Sequence, residues 1–298
     1  MSKAKILVVL GQTSTGKSAL AVRLAKKFNG EVISADSRQV YKGLDIGTGK
    51  ITPKEMDGVP HHLLDVANLE SKFSVSKYQK LALQKIKEIL KRGKLPILCG
   101  GTGFYIDAVT TGIVLPEVKP NPKLRQTLEK QSLEKLLQTL KKLDKSRAEN
   151  IDQKNKVRLI RAIEIAKALG KVPKITEETP PYEFIKIGLT IPAETLKRKI
   201  RIRLRKRLRG GMAVELYNLR KQGVSWKRLL ELGFDQKYVA LFLQKKLDDK
   251  TMLAHLEKAN WAYAKRQWTW FKRDNGINWF SNTEYKNIAS FVKNKLRD

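Results

Sequence analysis

Eight residues near the start of the chain combine two glycines, a lysine and a serine at a spacing that suits phosphate binding. Residues 11–18 read GQTSTGKS and fit G-x-x-x-x-G-K-S/T at every fixed position. The glycines let backbone N–H groups converge on phosphate oxygens at the positive end of a helix, the lysine adds charge, and the serine hydroxyl can ligate Mg²⁺. We expect a diphosphate or nucleotide to bind Gly11, Gln12, Thr13, Ser14, Thr15, Gly16, Lys17 and Ser18, with Ser18 as the ligand of Mg²⁺.

The flanking residues place this loop between a strand and a helix. Residues 6–10 form a short aliphatic run that ends at Gly11, and residues 19–28 repeat apolar side chains at helical spacing. This context favours a true phosphate site over a chance match in a glycine-containing turn. The loop does not select the chemistry, because any diphosphate or triphosphate ester fits the same geometry.

Asp36 and Thr102 stand directly after two other predicted buried strands. The run at residues 32–33 is followed by Ser-Ala-Asp36, and the run at residues 95–99 by Gly-Gly-Thr102-Gly. Open α/β sheets bind ligands at the carboxyl ends of their strands, so both side chains are expected near the phosphate loop. The Asp36 carboxylate could accept a proton from a nucleophile. The alternative is a loop aspartate that caps its own turn.

The order of these elements predicts an α/β fold, namely a P-loop NTPase-like parallel sheet flanked by helices, with a helical insertion. Between Pro116 and Pro181 the composition shifts to Lys, Glu, Leu and Gln, without a convincing strand. Residues 184–191 alternate as a strand that rejoins the sheet, and a basic helical part follows. We therefore expect a core domain from residues 1–116 and 184–298 and an insertion at residues 117–183.

The charge of the chain indicates a polyanionic partner, since 61 Lys and Arg residues against 29 Asp and Glu residues give a net charge of +32. Nine of the thirteen residues in 197–209 are basic, while apolar residues recur every four positions at Leu196, Ile200, Leu204 and Leu208. One face of this predicted helix is expected to pack and the other to face the polyanion. A merely solvated helix is the alternative, but the run has no acidic residue for i,i+4 pairs.

Other residue types exclude several classes of protein. The single cysteine, Cys99, cannot form an intramolecular disulfide or a cysteine metal cluster, and its apolar run places it in the core of a protein from a reducing compartment. His61 and His62 are adjacent and cannot share one face, so we expect them to be structural rather than metal ligands. No stretch approaches the roughly eighteen apolar residues of a membrane span. We expect a monomeric cytoplasmic protein that contacts no membrane.

A series of motifs in a fixed order resembles the tRNA dimethylallyltransferase family, also called tRNA isopentenyltransferases. The resemblance covers nearly the whole chain and rests on the phosphate loop, DSRQVYKGLDIGTGK at 36–50, HHLLD at 61–65, GGTGFYI at 100–106, NKVRLIRAIEI at 155–165, GMAVEL at 211–216 and AKRQWTWF at 264–271. It implies transfer of a dimethylallyl group from dimethylallyl diphosphate to N6 of adenine 37 in tRNA, with release of pyrophosphate. Mg²⁺ is the implied cofactor, and the tRNA anticodon stem-loop is the implied partner.

The resemblance also implies three catalytic residues. Asp36 would be the general base or hydrogen-bond acceptor for the adenine N6. Thr102 would place its hydroxyl near the bridging oxygen or the diphosphate, although a helix N-cap is an alternative role for this threonine. Arg203, aligned through Gly211, falls on the arginine that the family places near the diphosphate, where a bidentate guanidinium suits the leaving group.

Thirteen residues are implied contacts of the tRNA. The adenine must leave the anticodon stack to react, and residues 264–271 combine basic and aromatic side chains that are able to stack on bases and pair with phosphates. The implied contacts are Asp36, Ser37, Arg38, Gln39, Thr102, Arg125, Val157, Arg158, Leu159, Ile160, Arg161, Lys265 and Arg266.

The sequence departs from the family pattern at three places, where Gln12 replaces a proline, Asn260-Trp261 replaces Thr-Arg and Phe234 replaces a tyrosine. Three other functions remain open, namely prenyl transfer to free adenine nucleotides, phosphorylation of a small molecule, and NTP and RNA binding without transfer. The charge of +32 favours tRNA over a free nucleotide. No separate strand of four apolar residues ending in Asp is evident, which counts against the two NTP-based functions.

Overall fold

The computed structural model describes residues 3–174, 176 and 178–298. These residues form two compact units, of which the second, Ile113–Glu178, interrupts the first. The second unit starts four residues before the predicted start of the insertion, residue 117, and ends five residues before its predicted end, residue 183. Its end differs because Tyr182 already belongs to a strand, where it pairs with Ala4.

Six parallel strands form one sheet in the first unit. In chain order they are β1 (Ala4–Gly11), β2 (Gly30–Ala35), β3 (His61–His62), β4 (Leu95–Gly100), β5 (Tyr182–Thr190) and β6 (Ile277–Ser281). Their order across the sheet is β3-β2-β4-β1-β5-β6, and every neighbouring pair is parallel. The predicted α/β fold is confirmed. The loops after β1, β2 and β4 leave the sheet at one edge, which brings the phosphate loop, Asp36 and Thr102 to the same side.

The central strand β1 is buried on both faces, as its continuous aliphatic run predicts. Because side chains alternate along a strand, Ile6, Val8 and Leu10 join one core cluster, whereas Leu7 and Val9 join the other. This double burial gives the loop that follows β1 a rigid base.

Fourteen helices are assigned within the described residues. In chain order they are α1 (Lys17–Lys27), α2 (Pro53–Met56), α3 (Val75–Lys91), α4 (Gly103–Thr110), α5 (Pro122–Glu129), α6 (Leu133–Leu143), α7 (Lys145–Glu149), α8 (Lys156–Leu169), α9 (Ala193–Arg209), α10 (Met212–Lys221), α11 (Trp226–Glu231), α12 (Phe234–Leu243), α13 (Asp249–Phe271) and α14 (Tyr285–Arg297). Helices α1 and α14 supply buried side chains to one face of the sheet, and α3, α4 and α10–α13 supply them to the other. In the part of the chain that the structure describes, no helix is long and apolar enough to cross a membrane.

The second unit consists of α5–α8, and no strand is assigned among its described residues. Leucine side chains from α5, α6 and α8 meet in a core of its own. Each of its helices begins at a polar side chain that accepts the backbone N–H three residues later, which satisfies an otherwise unpaired donor. These caps are Asn121, Ser132, Asp144 and Asn155.

The cysteine and the paired histidines have structural positions. Cys99 is buried, as predicted. His61 Nδ1 lies 2.8 Å from the Val59 carbonyl oxygen, and His62 Nε2 lies 2.7 Å from Glu31 Oε2. Across the described ranges, no group of three or more His, Cys, Asp or Glu side chains is arranged to hold a metal ion. The two histidines form the edge strand β3, and each side chain has a hydrogen-bond partner next to it.

Candidate active site

The phosphate loop joins β1 to α1 and depends on two glycines for its shape. Gly11 and Gly16 have φ angles of 135° and 99°, in a region that glycine tolerates and other residues rarely adopt. A Cβ atom on Gly11 would lie 2.5 Å from the Leu189 carbonyl oxygen of β5, so a larger residue does not fit there. The pattern at residues 11–18 therefore reflects backbone geometry and close packing as well as phosphate chemistry.

Lys17 is the cation of this loop. Its Nζ donates to the Gln12 carbonyl oxygen at 2.6 Å, and Thr15 Oγ1 donates to the same oxygen at 2.9 Å. Burial, which is the largest cause, and the nearby Arg203 lower the pKa of Lys17 from 10.5 to about 8. Lys17 is thus mostly protonated at pH 7 but poorly solvated, and this state favours binding of an anion.

Asp36 begins the loop after β2, and its two carboxylate oxygens have different surroundings. Oδ1 accepts the backbone N–H groups of Arg38 at 2.8 Å and Gln39 at 3.3 Å, so the aspartate does cap its own turn. Oδ2 makes no hydrogen bond with any residue that the structure describes. Because the half-buried side chain lines the cavity described below, this second oxygen is available to a donor on a ligand.

Thr102 stands at the N-cap position of α4, but its hydroxyl does not cap the helix. Its Oγ1 accepts the N–H of Ser37 at 3.0 Å and donates to Ser37 Oγ at 3.4 Å. The Thr102 N–H donates to the Ala35 carbonyl oxygen at 3.1 Å. These bonds hold the loops after β2 and β4 side by side, so Thr102 lies beside the segment that carries Asp36.

Arg203 reaches the phosphate loop from α9. Its Nη1 donates to Thr13 Oγ1 at 2.9 Å, and its Nη2 donates to the Gly49 carbonyl oxygen at 3.2 Å. Burial and the neighbouring Arg207 lower the pKa of Arg203, although an arginine remains a cation in proteins. The register of the basic helix therefore points this arginine at the loop, which is where the alignment through Gly211 predicts it.

One cavity of about 310 Å³ is lined by Asp36, Thr102, Arg203 and, from the phosphate loop, Thr13. Its wall comes from the loops after β1, β2 and β4 and from helices α9, α12 and α13. Thr13 is the residue through which the phosphate loop reaches it. The predicted site residues of the first unit that do not line it are Gly11, Gln12, Ser14, Thr15, Gly16, Lys17, Ser18, Gln39 and Lys265. The predicted site residues that do line it are Thr13, Asp36, Ser37, Arg38, Thr102, Arg203 and Arg266.

The sequence prediction missed much of the cavity wall. One signal was available for Arg207, which follows Arg203 by four residues and so lies on the same helix face. Another was the AKRQ motif itself, whose glutamine is Gln267. The missed lining residues include Gly47, Arg207, Asp235, Tyr263, Gln267 and Trp270.

A buried ion pair between Arg207 and Asp235 forms part of the wall. Arg207 also donates to the carbonyl oxygens of Ile46 at 3.0 Å and Gly47 at 2.8 Å, and Asn260 Nδ2 donates to Asp235 Oδ1 at 2.6 Å. The departure from the family pattern at Asn260 thus supplies a partner for a buried carboxylate. With its charge paired, Arg207 holds the loop at residues 46–47 instead of offering a free cation to a ligand.

Glu215 on α10 fixes the same loop through its N–H groups. Its carboxylate accepts the N–H of Asp45 at 2.9 Å, of Ile46 at 2.7 Å and of Gly47 at 2.9 Å. Hydrogen bonds from backbone N–H groups to an ionised carboxylate are stronger than neutral ones. The segment at residues 36–50 is therefore an ordered loop, held through both its N–H and its C=O groups.

Aromatic rings line the rest of the cavity, and several of them lie beside a guanidinium group. The guanidinium of Arg266 lies 5.8 Å from the centroid of the Phe234 ring and 5.9 Å from that of Tyr263. Phe104 is 38% exposed, and its ring centroid lies 6.2 Å from that of Trp270. Such rings can stack on a base or pack against an allyl group. The cavity thus combines Thr13 of the phosphate loop and the Arg203 guanidinium with a free carboxylate oxygen and aromatic surface.

The family model for IPP transferase matches residues 39–274 of this chain, which is well over half of its 298 residues. The chain belongs to the IPP transferase family. The resemblance seen in the sequence motifs is confirmed, and with it the expectation of a prenyltransferase enzyme.

Relatives of this IPP transferase match along nearly the whole chain. The tRNA dimethylallyltransferase 2 of Treponema denticola is 43% identical over 282 residues, covering 92% of this chain and 94% of the relative. The tRNA dimethylallyltransferase of Anoxybacillus flavithermus is 39% identical over 285 residues, covering 94% and 91%. The solved tRNA isopentenylpyrophosphate transferase of Bacillus halodurans has a TM-score of 0.75 at 35% identity, covering 99% and 97%. A eukaryotic dimethylallyltransferase acting on tRNA has a TM-score of 0.77 at 26% identity, covering 95% and 75%.

In the second unit of this IPP transferase, two predicted tRNA contacts share one buried carboxylate. Arg125 Nη2 lies 2.7 Å and Arg161 Nη1 lies 2.5 Å from Glu164 Oε2, and Asn121 N donates to Oε1 at 2.6 Å. Burial opposes ionisation, but the hydrogen bonds from Arg125, Asn121 N and Arg161 outweigh it and lower the pKa of Glu164 to about 2. The two guanidiniums are therefore held in place, and part of their charge is neutralised.

The four predicted contacts at residues 157–160 divide by exposure. Val157 is 77% exposed, and the Arg158 side chain is 59% exposed with Asp152 at 3.9 Å. Leu159 and Ile160 are buried in the core of the second unit. Leu159 and Ile160 pack in the core and so hold α8 in place. The Arg158 guanidinium is exposed to solvent.

Proposed function

We propose that this chain transfers a dimethylallyl group from dimethylallyl diphosphate to N6 of adenine 37 in tRNA, giving N6-isopentenyladenosine and pyrophosphate. The observation that carries the proposal is a cavity lined by Asp36, Thr102 and Arg203 together with Thr13 of the phosphate loop, which Arg203 binds. The bacterial relatives are named for dimethylallyl transfer to tRNA, and one solved relative is a dimethylallyltransferase acting on tRNA. These names support the same reaction here.

The phosphate loop, which meets the cavity at Thr13, suits the diphosphate of the donor. The N–H groups at the start of α1, the ammonium of Lys17 and the guanidinium of Arg203 place positive charge there. As the bond between the allylic carbon and oxygen breaks, negative charge grows on the diphosphate. These groups stabilise that charge more strongly than they stabilise the bound donor, and the Thr102 hydroxyl adds a further hydrogen bond when it turns from Ser37 Oγ to the diphosphate.

The free oxygen of Asp36 suits the amino group of the adenine. It can accept a hydrogen bond from N6–H, which orients the nitrogen toward the allylic carbon. N6 forms the new C–N bond as the C–O bond breaks, pyrophosphate leaves, and the N6 proton passes to Asp36 and then to water. The adenine must leave the anticodon stack to reach this site, where stacking partners are available from Phe104, Phe234, Tyr263 and Trp270.

Mg²⁺ is part of the proposal. The exposed Ser18, in the first turn of α1, carries a hydroxyl oxygen, a hard donor of the kind that Mg²⁺ prefers. One such donor fits a cation that takes its remaining ligands from phosphate oxygens and water. When bound, Mg²⁺ would neutralise part of the diphosphate charge.

Surface charge supports tRNA as the acceptor. Ser37 and Arg38 line the cavity, Gln39 follows them, and Lys265 of the same unit carries exposed positive charge. These positions suit an anticodon stem-loop that inserts one base into the cavity and pairs its phosphates outside it. We further propose that the protein acts in the cytoplasm as a monomer of 34.0 kDa, and a light-scattering mass of twice that value would contradict the monomer.

The proposal is tested by labelled dimethylallyl diphosphate with Mg²⁺ and two acceptors in separate reactions. One is an unmodified tRNA with adenines at positions 36 and 37, and the other is AMP. We expect label on the tRNA and none on AMP. Label on AMP alone would favour prenyl transfer to a free nucleotide. A third reaction contains ATP and Mg²⁺, and ATP hydrolysis there without prenyl transfer in the other two would favour a kinase or an RNA-binding NTPase.

A further inference from the structure

We propose that Gln267 is a positioning residue, an inference that rests on the proposed function: one buried amide sets the spacing between the phosphate loop and the loop that carries Thr102. Gln267 lies on α13 and is 5% exposed. Its Oε1 accepts the Thr13 N–H at 2.7 Å, and its Nε2 donates to the Gly101 carbonyl oxygen at 2.8 Å. The two loops follow the adjacent strands β1 and β4, and the amide bridges them.

The two partners determine which chemical group fits at this position. A backbone N–H can only donate and a carbonyl oxygen can only accept, so the side chain must offer one acceptor and one donor. A Cβ atom on Gly101 would lie 2.2 Å from Gln267 Nε2, which shows how closely the amide is packed. An apolar side chain would leave the Thr13 N–H without this acceptor and the Gly101 oxygen with only the Tyr263 hydroxyl at 3.4 Å, and an ionised carboxylate would oppose the carbonyl oxygen.

Each end of the amide lies next to a group that the proposed reaction uses. Thr13 accepts the Arg203 hydrogen bond through its side chain at 2.9 Å, and Gly101 directly precedes Thr102. Both ends of Gln267 are occupied by protein groups, so it acts through these loops rather than on the substrate. A misplacement of about 1 Å in a reacting geometry costs on the order of 10²-fold in rate.

A second glutamine ties the same loop to the same helix. Gln12, which stands where the family pattern has a proline, is 8% exposed, and its Nε2 donates to the Ala264 carbonyl oxygen at 3.1 Å. Ala264 lies three residues before Gln267 on α13, so this helix binds two consecutive residues of the loop, Gln12 through its side chain and Thr13 through its N–H. A proline has no donor for this bond.

The pH dependence of Gln267→Glu tests the role. The ionised carboxylate of this variant lacks the donor to Gly101, whereas its protonated form reproduces the donor and acceptor pattern of the amide. We expect the ratio of its kcat to that of the wild type to be about 10²-fold down at pH 8.5. The ratio should recover by about tenfold per pH unit as the pH falls toward the pKa of the new carboxyl, which burial raises.

Two control variants separate positioning from general effects of the substitution. Gln244→Glu is matched, since Gln244 Nε2 also donates to a backbone carbonyl oxygen, that of Ala240 at 3.1 Å, but does not line the cavity. Its kcat ratio should not change with pH. Gln267→Met keeps the length without either hydrogen bond and should be slow at every pH. A flat pH ratio for Gln267→Glu, or a Gln267→Met enzyme within about threefold of wild type, would overturn the proposal.

Gly101→Ala gives a second test that does not depend on an ionisable variant. Its Cβ atom displaces the amide, so the double variant of Gly101→Ala with Gln267→Met should lose less kcat than the product of the two single losses. A double variant whose loss of kcat equals that product would reject a shared cause. Labelling of tRNA by the wild type is measured first. Its failure rejects the proposed function, whereas normal wild-type labelling with a flat pH ratio rejects only the role of Gln267.

Discussion

Replacing Lys17 by methionine should stabilise the free protein while weakening binding of the donor. The folded chain holds this ammonium at a pKa of about 8 instead of 10.5, chiefly because burial removes its water. A difference of about 2.5 pKa units corresponds to about 3 kcal/mol of folding free energy at pH 7. For a lysine whose pKa is lowered by folding, this cost is fully present below pH 8. It disappears as the pH rises toward 10.5, because the unfolded chain keeps the proton longer.

Urea unfolding of Lys17→Met and wild type at pH 7 and pH 9.5 measures this effect. The lost hydrogen bond to Gln12 offsets about 1 kcal/mol, which leaves a gain of about 2 kcal/mol at pH 7. The gain should be smaller by about 2 kcal/mol at pH 9.5. Lys27→Met, at an exposed lysine of the same helix, is the control and should stay within about 0.5 kcal/mol of wild type. No gain at pH 7, or an equal gain at both pH values, would refute the reasoning.

Asp36→Asn keeps the turn-capping oxygen but loses the base, so turnover on tRNA should fall by about 10²-fold or more while tRNA affinity stays within a few-fold. A parallel loss in single-turnover and filter-binding assays would make Asp36 structural. Arg158→Ala should weaken tRNA binding and reduce the salt dependence of the affinity by about one phosphate contact, and an unchanged slope would remove Arg158 from the interface. Glu164→Gln should lower the free energy of unfolding by about 3 kcal/mol at pH 7, because folding lowers the pKa of Glu164 from 4.5 to about 2. The deficit in urea unfolding should shrink as the pH falls from 4.5 toward 2, and a constant deficit would contradict the pairing.

The sheet and the loops at its carboxyl edge follow from local sequence patterns. The aliphatic runs at residues 6–10, 32–33 and 95–99 become β1, β2 and β4, because strands buried on both faces need continuous apolar residues. The positions of Gly11 and Gly16 can be predicted in the same way, because few other residue types adopt their positive φ angles. Continuous apolar runs and glycines at positive φ are properties of short segments, so they can be recognised in the sequence.

The rest of the cavity wall depends on contacts between distant residues. Gln267 bonds to a residue 254 positions away, and Arg203 to one 190 positions away. Helix register alone separates Arg203 from the other arginines of its run, so only the family resemblance selects it from sequence. Nothing in local composition indicates that Glu215 would bind three successive N–H groups of another loop.

In the second unit, residue type is a poor guide to the tRNA contacts. Arg125 and Arg161 have the charge to bind phosphate, yet both are paired with Glu164, which local sequence does not connect to Arg125. Leu159 and Ile160 belong to a family motif, but they lie on the face of α8 that packs against the core. Exposure in the fold is what separates a contact surface from its support.

Mapping the product on a matched pair of tRNAs tests the central claim most directly. The two substrates carry the same unmodified anticodon stem-loop and differ only in having adenosine or guanosine at position 37. With labelled dimethylallyl diphosphate and Mg²⁺, the account predicts label confined to N6 of adenine 37 in the first tRNA and none in the second. Equal labelling of both, or label on any other nucleotide of the first, would contradict it.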